Sequence, residues 1–162
     1  MKSIVISFCF LLLTSLVFAG DSIPPRISKH QLGLNIGSAS GFGLAYRYTP
    51  SRFMHQVTFL PVLSDGWGFI DLSYSLYYRL RERRYADFNL YCGTHTMIAT
   101  GSEPGVVNIT GGGFGLNFKL GNYFTMNLNG GYGLYNTPNV NNIEKRSYML
   151  LPTGELGLFY KL

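Results

Sequence analysis

Residues 148–162 read YMLLPTGELGLFYKL, and from Gly154 onward they alternate with a period of two. Leu156, Leu158, Tyr160 and Leu162 fall to one side, and Glu155, Gly157, Phe159 and Lys161 to the other. Side chains of a strand point alternately to its two faces, so this stretch has one apolar and one mostly polar surface. A chain that finishes on an amphipathic strand is expected to use it to close a sheet on itself.

The same alternation recurs along the chain and predicts about eight strands. The first covers about 30–38, with Leu32, Leu34 and Ile36 opposite Gly33, Asn35 and Gly37. The second sets Phe42, Leu44, Tyr46 and Tyr48 against Gly43, Ala45, Arg47 and Thr49. A third, about 52–63, is imperfect, because Met54 and Leu60 share the polar face with Gln56 and Thr58. The fourth, about 67–80, is the clearest: Ile70, Leu72, Tyr74, Leu76 and Tyr78 oppose Asp71, Ser73, Ser75 and Tyr77. Strands follow at about 84–98, up to about 120, and after the Gly121-Asn122 turn. Turn residues at 39–41, 49–51, 64–66 and 81–83 separate them, and longer loops are expected at 99–105 and 136–147. Gly111 to Gly113 are read as a bulge or bend within the sixth strand. Helical periodicity is confined to the N-terminal leader.

That leader is expected to be removed. Lys2, an apolar run over residues 4–18 and the small-residue site Val17-Phe18-Ala19 form a secretory signal peptide, residues 1–19, with residues 20–162 as one domain. Cys9 leaves with it, and Cys92, the other of the 2 cysteines, has no partner for an intramolecular disulfide. It reads as a small apolar residue on a strand. Gly20, not Cys, stands directly after the cleavage site, so lipoprotein processing is not expected.

Two barrels could use such strands, one with the apolar faces inward and soluble, the other inverted. Charged residues make up only 13% of the chain, whereas a soluble surface wants about 25–35%. The polar faces are small, rich in Gly, Ser and Asn, which suits a narrow interior. Tyr46, Tyr48, Tyr78, Tyr132 and Tyr160 sit near strand ends, where interfacial girdles lie. The inverted barrel is therefore expected. The net charge of +5 draws on Arg79, Arg81, Arg83 and Arg84 around a single turn, which is not the footprint of a nucleic-acid partner.

Glu155, Gly157, Tyr160 and Leu162 resemble the terminal assembly signal of bacterial outer-membrane β-barrels, and the strand pattern of the whole mature chain is similar to the small OmpA- and OmpX-type barrels. The resemblance implies an all-β, eight-stranded antiparallel up-and-down transmembrane β-barrel in a Gram-negative outer membrane. It further implies biogenesis by the barrel-assembly machinery, contact with outer-membrane lipid and lipopolysaccharide, and a monomer. The expected role is structural or interactive, through loops 99–105 and 136–147, and not enzymatic.

Inside such a barrel, Arg47, Lys119 and Lys161 are expected to pair with Asp71, Asp87 and Glu155 as a structural network, since isolated buried charge is costly. The rival readings are a lipid A-modifying barrel enzyme and a soluble lipocalin-like barrel with an apolar ligand inside. An acyl-transfer enzyme would need a His beside a Ser nucleophile, and neither His30, His55 nor His95 has one by sequence. No spacing points to a metal or cofactor. Gly111 to Gly115 lack the Lys-Ser/Thr and helix of a phosphate loop. Lys145-Arg146 could touch lipopolysaccharide phosphates, although solvated loop charge is the plainer reading.

Overall fold

The computed structural model describes residues 28–101, 105–139 and 142–162, and side chains outside 137–147. The leader, the lead-in to residue 27 and the side chains of Lys145 and Arg146 lie outside the described residues. Eight strands follow one another: β1 (His30–Gly37), β2 (Gly41–Tyr48), β3 (Phe53–Ser64), β4 (Trp67–Glu82), β5 (Ala86–Thr100), β6 (Gly105–Leu120), β7 (Phe124–Asn139) and β8 (Asn142–Lys161). Each pairs antiparallel with the next, and β8 returns to β1, so the sheet is a closed barrel. The terminal strand therefore does close the sheet: Gln31 faces Lys161 and Gly37 faces Glu155 across the seam.

Closure leaves an inside and an outside, and the alternation decides which residues go where. Leu34, Ile36, Leu44, Phe59, Leu72, Leu128, Leu156 and Leu158 are exposed on the outer wall. Gln56, Thr58, Ser75, Asn89, Asn127 and Asn129 are buried in the interior. The barrel is thus apolar outside and polar within. A small apolar cluster, Ala39, Met54, Tyr77 and Tyr91, interrupts that interior.

Both described chain ends and the connections at 49–52, 83–85 and 121–123 lie at one end, the near end. The far connections, 38–40, 65–66, 101–104 and 140–141, are no longer than these. Within the expected 136–147 loop, residues 136–139 and 142–147 are strand: β7 and β8 continue their pairing, with Asn136 opposite Tyr148 and Pro138 opposite Arg146, and the register shifts between Pro138 and Asn139. Turn-forming Asn and Pro mislead here because the neighbouring strand supplies the ladder. The asymmetry lies in strand length: β1 and β2 have 8 residues each and β8 has 20.

The short β1–β2 hairpin does not stand up at the far end; its tip folds into the barrel. Ala39 and Ser40 are fully buried. Gly43, at φ 125°, lets β2 leave β3 after the Leu44–Phe59 pair. Phe42, expected on the outer face, packs edge-on against the His95 ring at 5.7 Å between centroids.

Gly111, Gly112 and Gly113 make no bulge, because β6 pairs without a register shift with β5 and β7. They are required by space: a Cβ on Gly113 would strike the backbone carbonyl of Gly130, and one on Gly111 would meet Ala39 of the inserted tip at 2.9 Å. Among the described residues the ladder shifts register elsewhere, between Arg79 and Arg81 on β4 and between Pro138 and Asn139 on β7.

Candidate functional site: the barrel interior

All six residues of the expected network face the interior, but the structure joins them differently. Asp71 pairs with His95, not with a Lys or Arg. His95 Nε2 lies 2.6 Å from Asp71 Oδ2, and both side chains are inaccessible to solvent. The second ring nitrogen, Nδ1, lies 2.8 Å from the Ser38 carbonyl oxygen. Two oxygen acceptors, one on each nitrogen, are satisfied by a ring that carries both protons. The other Asp71 oxygen accepts from the Phe42 backbone N–H at 3.1 Å. Asp71 and His95 thus fasten the hairpin tip to β4 and β5, and Ser73 adds a hydroxyl donated to the Ser40 carbonyl.

Arg47 makes no ion pair with a carboxylate among the described residues. Its guanidinium donates to Gln56 Oε1 at 2.7 Å, reaches Asn117 at 3.4 Å, and stacks 3.8 Å from the Phe159 ring centroid. Planarity suits Arg to such a slot, where the aromatic face and the amides replace water. Glu155 likewise makes no ion pair among the described residues and accepts from Asn129 Nδ2 at 2.8 Å.

Lys119 and Asp87 do form the expected kind of pair, at 2.9 Å, close to the near end. Arg79 joins them, 3.4 Å from Asp87 and 3.3 Å from Glu82, and Lys119 also reaches Glu82 at 3.1 Å. The bulge after Arg79 makes this possible. An extra residue resets the side-chain alternation, so Arg79 and Glu82 both aim at the same mouth. The Lys119 hydrogen bond is the main reason that the Glu82 carboxyl is held below the usual carboxylate range. Lys161, at the last position of β8, lines the same mouth.

His30 and His55 are on the outer wall, each bonded through Nδ1 to a tyrosine hydroxyl, Tyr46 at 2.6 Å and Tyr74 at 2.8 Å. Of the three histidines only His95 faces inward with an acid, and the sequence reading missed that partner. Its legible signal was parity: His95 and Asp71 both fall on polar strand faces. Neither nitrogen of His95 is left for a serine hydroxyl. Among the described residues no group of three or more His, Cys, Asp or Glu could hold a metal ion. Comparison with protein-family models, curated proteins and solved structures returns no match.

Proposed function

We propose that the chain is an integral β-barrel of a bacterial outer membrane, exported by its leader and inserted by the barrel-assembly machinery through Glu155, Gly157, Tyr160 and Leu162. The observation that carries this reading is the outer wall. Leu34, Ile36, Leu44, Leu72, Phe114 and Leu128 present an apolar belt that water would not tolerate at this extent and hydrocarbon would. Aromatic rings ring its near edge: Tyr123 stacks on Tyr160 at 6.1 Å, Phe53 meets Tyr78 at 5.1 Å and Tyr48 meets His30 at 5.0 Å. Such rings suit a membrane–water boundary. Closure also supports the reading, since a barrel leaves no unpaired edge within its fully paired band.

Its role is structural or interactive rather than enzymatic, and lipid and lipopolysaccharide are its surroundings. The interior supports this: Arg47, Tyr77, Phe159 and the inserted tip fill it, as expected of eight strands. A lipid A-modifying site would need a free base beside a nucleophile, and the His95 nitrogens are both engaged. A soluble apolar-ligand carrier would need a greasy lumen, where this one is lined by amides and hydroxyls.

Cys92 offers the test. It is exposed on the outer wall and is the lone free cysteine of the described residues. A fluorophore on Cys92 of the leader-free protein, folded into vesicles, should be quenched by nitroxides on acyl chains and shielded from iodide in water. Quenching by iodide, with a soluble band that does not shift on boiling, would sink the membrane reading.

A further inference from the structure

The near mouth contains more cation than its own carboxylates answer. A cavity of 250 Å³ opens there, lined by Lys29, Arg79, Lys119 and Lys161 together with Glu82 and Asp87. Both carboxylates are taken twice over, each by Arg79 and by Lys119. Lys29 and Lys161 make no ion pair among the described residues. Lys161 is nevertheless only 6% exposed. A buried ammonium without a partner is costly, and the cost is removed if something negative enters. Thr49, also on the cavity wall, supplies a second unanswered group: its buried hydroxyl has no hydrogen-bond partner.

We propose that this mouth binds a phosphate dianion, either free phosphate or the terminal phosphate of a small molecule. Four cations against two carboxylates leave the lining with two positive charges, which a dianion neutralises. Lysines serve as point charges for phosphate oxygens, and a hydroxyl such as Thr49 donates to a further one. Glu82 and Asp87 keep Arg79 and Lys119 in place, leaving Lys161 and Lys29 to meet the ligand. A water molecule takes about 30 Å³, so the cavity admits a tetrahedral anion with space for a small substituent. The site needs only the closed barrel, and so goes beyond the membrane reading and stands apart from it.

The test is calorimetric titration of the leader-free protein, folded in detergent micelles, with inorganic phosphate, glycerol 3-phosphate and acetate. A band that shifts on boiling certifies folding of each variant beforehand. Phosphate is expected to bind, and K161Q and K29Q each to weaken it by about tenfold or more, a loss of one decade in Kd. Arg81→Gln removes an equal charge from an exposed residue outside the cavity and should leave binding unchanged. Tighter binding of glycerol 3-phosphate points to a phosphomonoester as ligand, and tighter binding of free phosphate to the anion itself; both support the site. Absence of heat for both phosphates up to about 10 mM overturns it, that concentration being past any useful affinity. Acetate binding as tightly as phosphate, K29Q and K161Q binding as well as the parent, or an equal loss in R81Q would overturn it too. If the parent protein stays soluble without detergent, the titration is run in buffer. That outcome counts against the membrane reading alone.

Discussion

At the scale of single residues, the decisive contact is the His95–Asp71 pair, because it is both inaccessible to solvent and shared with the hairpin tip. Removing one partner of a buried pair leaves the other charge without compensation, which costs about 3–5 kcal/mol. His95→Ala should lower the unfolding free energy by about that amount, read from urea titrations in micelles. Since Asp71 keeps the Phe42 N–H, the lower end of that range, about 3 kcal/mol, is expected. A loss under about 1 kcal/mol would show that the pair contributes no more than an exposed one. The inward direction of both side chains was legible from alternation. Their meeting was not: Ser73, not Asp71, is the register partner of His95, so the contact runs diagonally between β4 and β5. Only the strand pairing brings such a diagonal within reach.

At the scale of elements, the short β1–β2 hairpin shapes the interior. Its tip occupies space that Gly93 and Gly111 leave open; a Cβ on Gly93 would come 2.8 Å from the Ala39 carbonyl oxygen. Ala39 is wholly buried, so Ala39→Leu must push the tip outward or strain the wall, at a cost of about 1–3 kcal/mol. Protease digestion of the folded variant checks it, with new cleavage between residues 37 and 41 expected and an unchanged pattern counting against the inserted tip. Eight strands and their faces could be read from the sequence because a period of two survives in nearly every segment. What the sequence hid were the places where a neighbour overrides local preference. Asn136, Pro138, Asn139 and Asn142 look like loop residues, yet β7 and β8 carry them as strand. Three successive glycines look like a bend, yet they are a close approach between β6 and its neighbours, and a bulge sits instead among arginines on β4.

At the scale of the whole molecule, the inversion of greasy and polar faces makes a sharp demand on substitution. Leu128 is half exposed on the outer wall, four residues into β7 from its near end at Phe124. An arginine there meets hydrocarbon if the wall lies in a bilayer, at about 2–4 kcal/mol near the midplane. Leu128→Arg should therefore destabilise the barrel by that amount in vesicles; a change within about 0.5 kcal/mol, the usual result at a watery surface, would show that the belt faces solvent. The sequence leads one to expect a network in which Arg47, Lys119 and Lys161 pair with Asp71, Asp87 and Glu155. Of these, Lys119 pairs with Asp87; aromatic rings and amides answer Arg47, an amide answers Glu155 and a histidine answers Asp71, while Lys161 is left at the near mouth.

The seams of the wall are unequal, and the ends of the chain load the weak ones. β1 meets β8 over seven residue pairs and β2 meets β3 over five, while β3 and β4 share twelve. Gln31 and Lys161 are neighbours across the first of these seams, so a tether on each end pulls them apart like the slider of a zip. Bonds then break in succession instead of together. The hairpin should peel away first and as a unit, with a late rise in force as the tip tears from His95. Six strands remain, joined by seams of twelve pairs or more. A pulling trace that begins with β8 leaving alone would contradict this order.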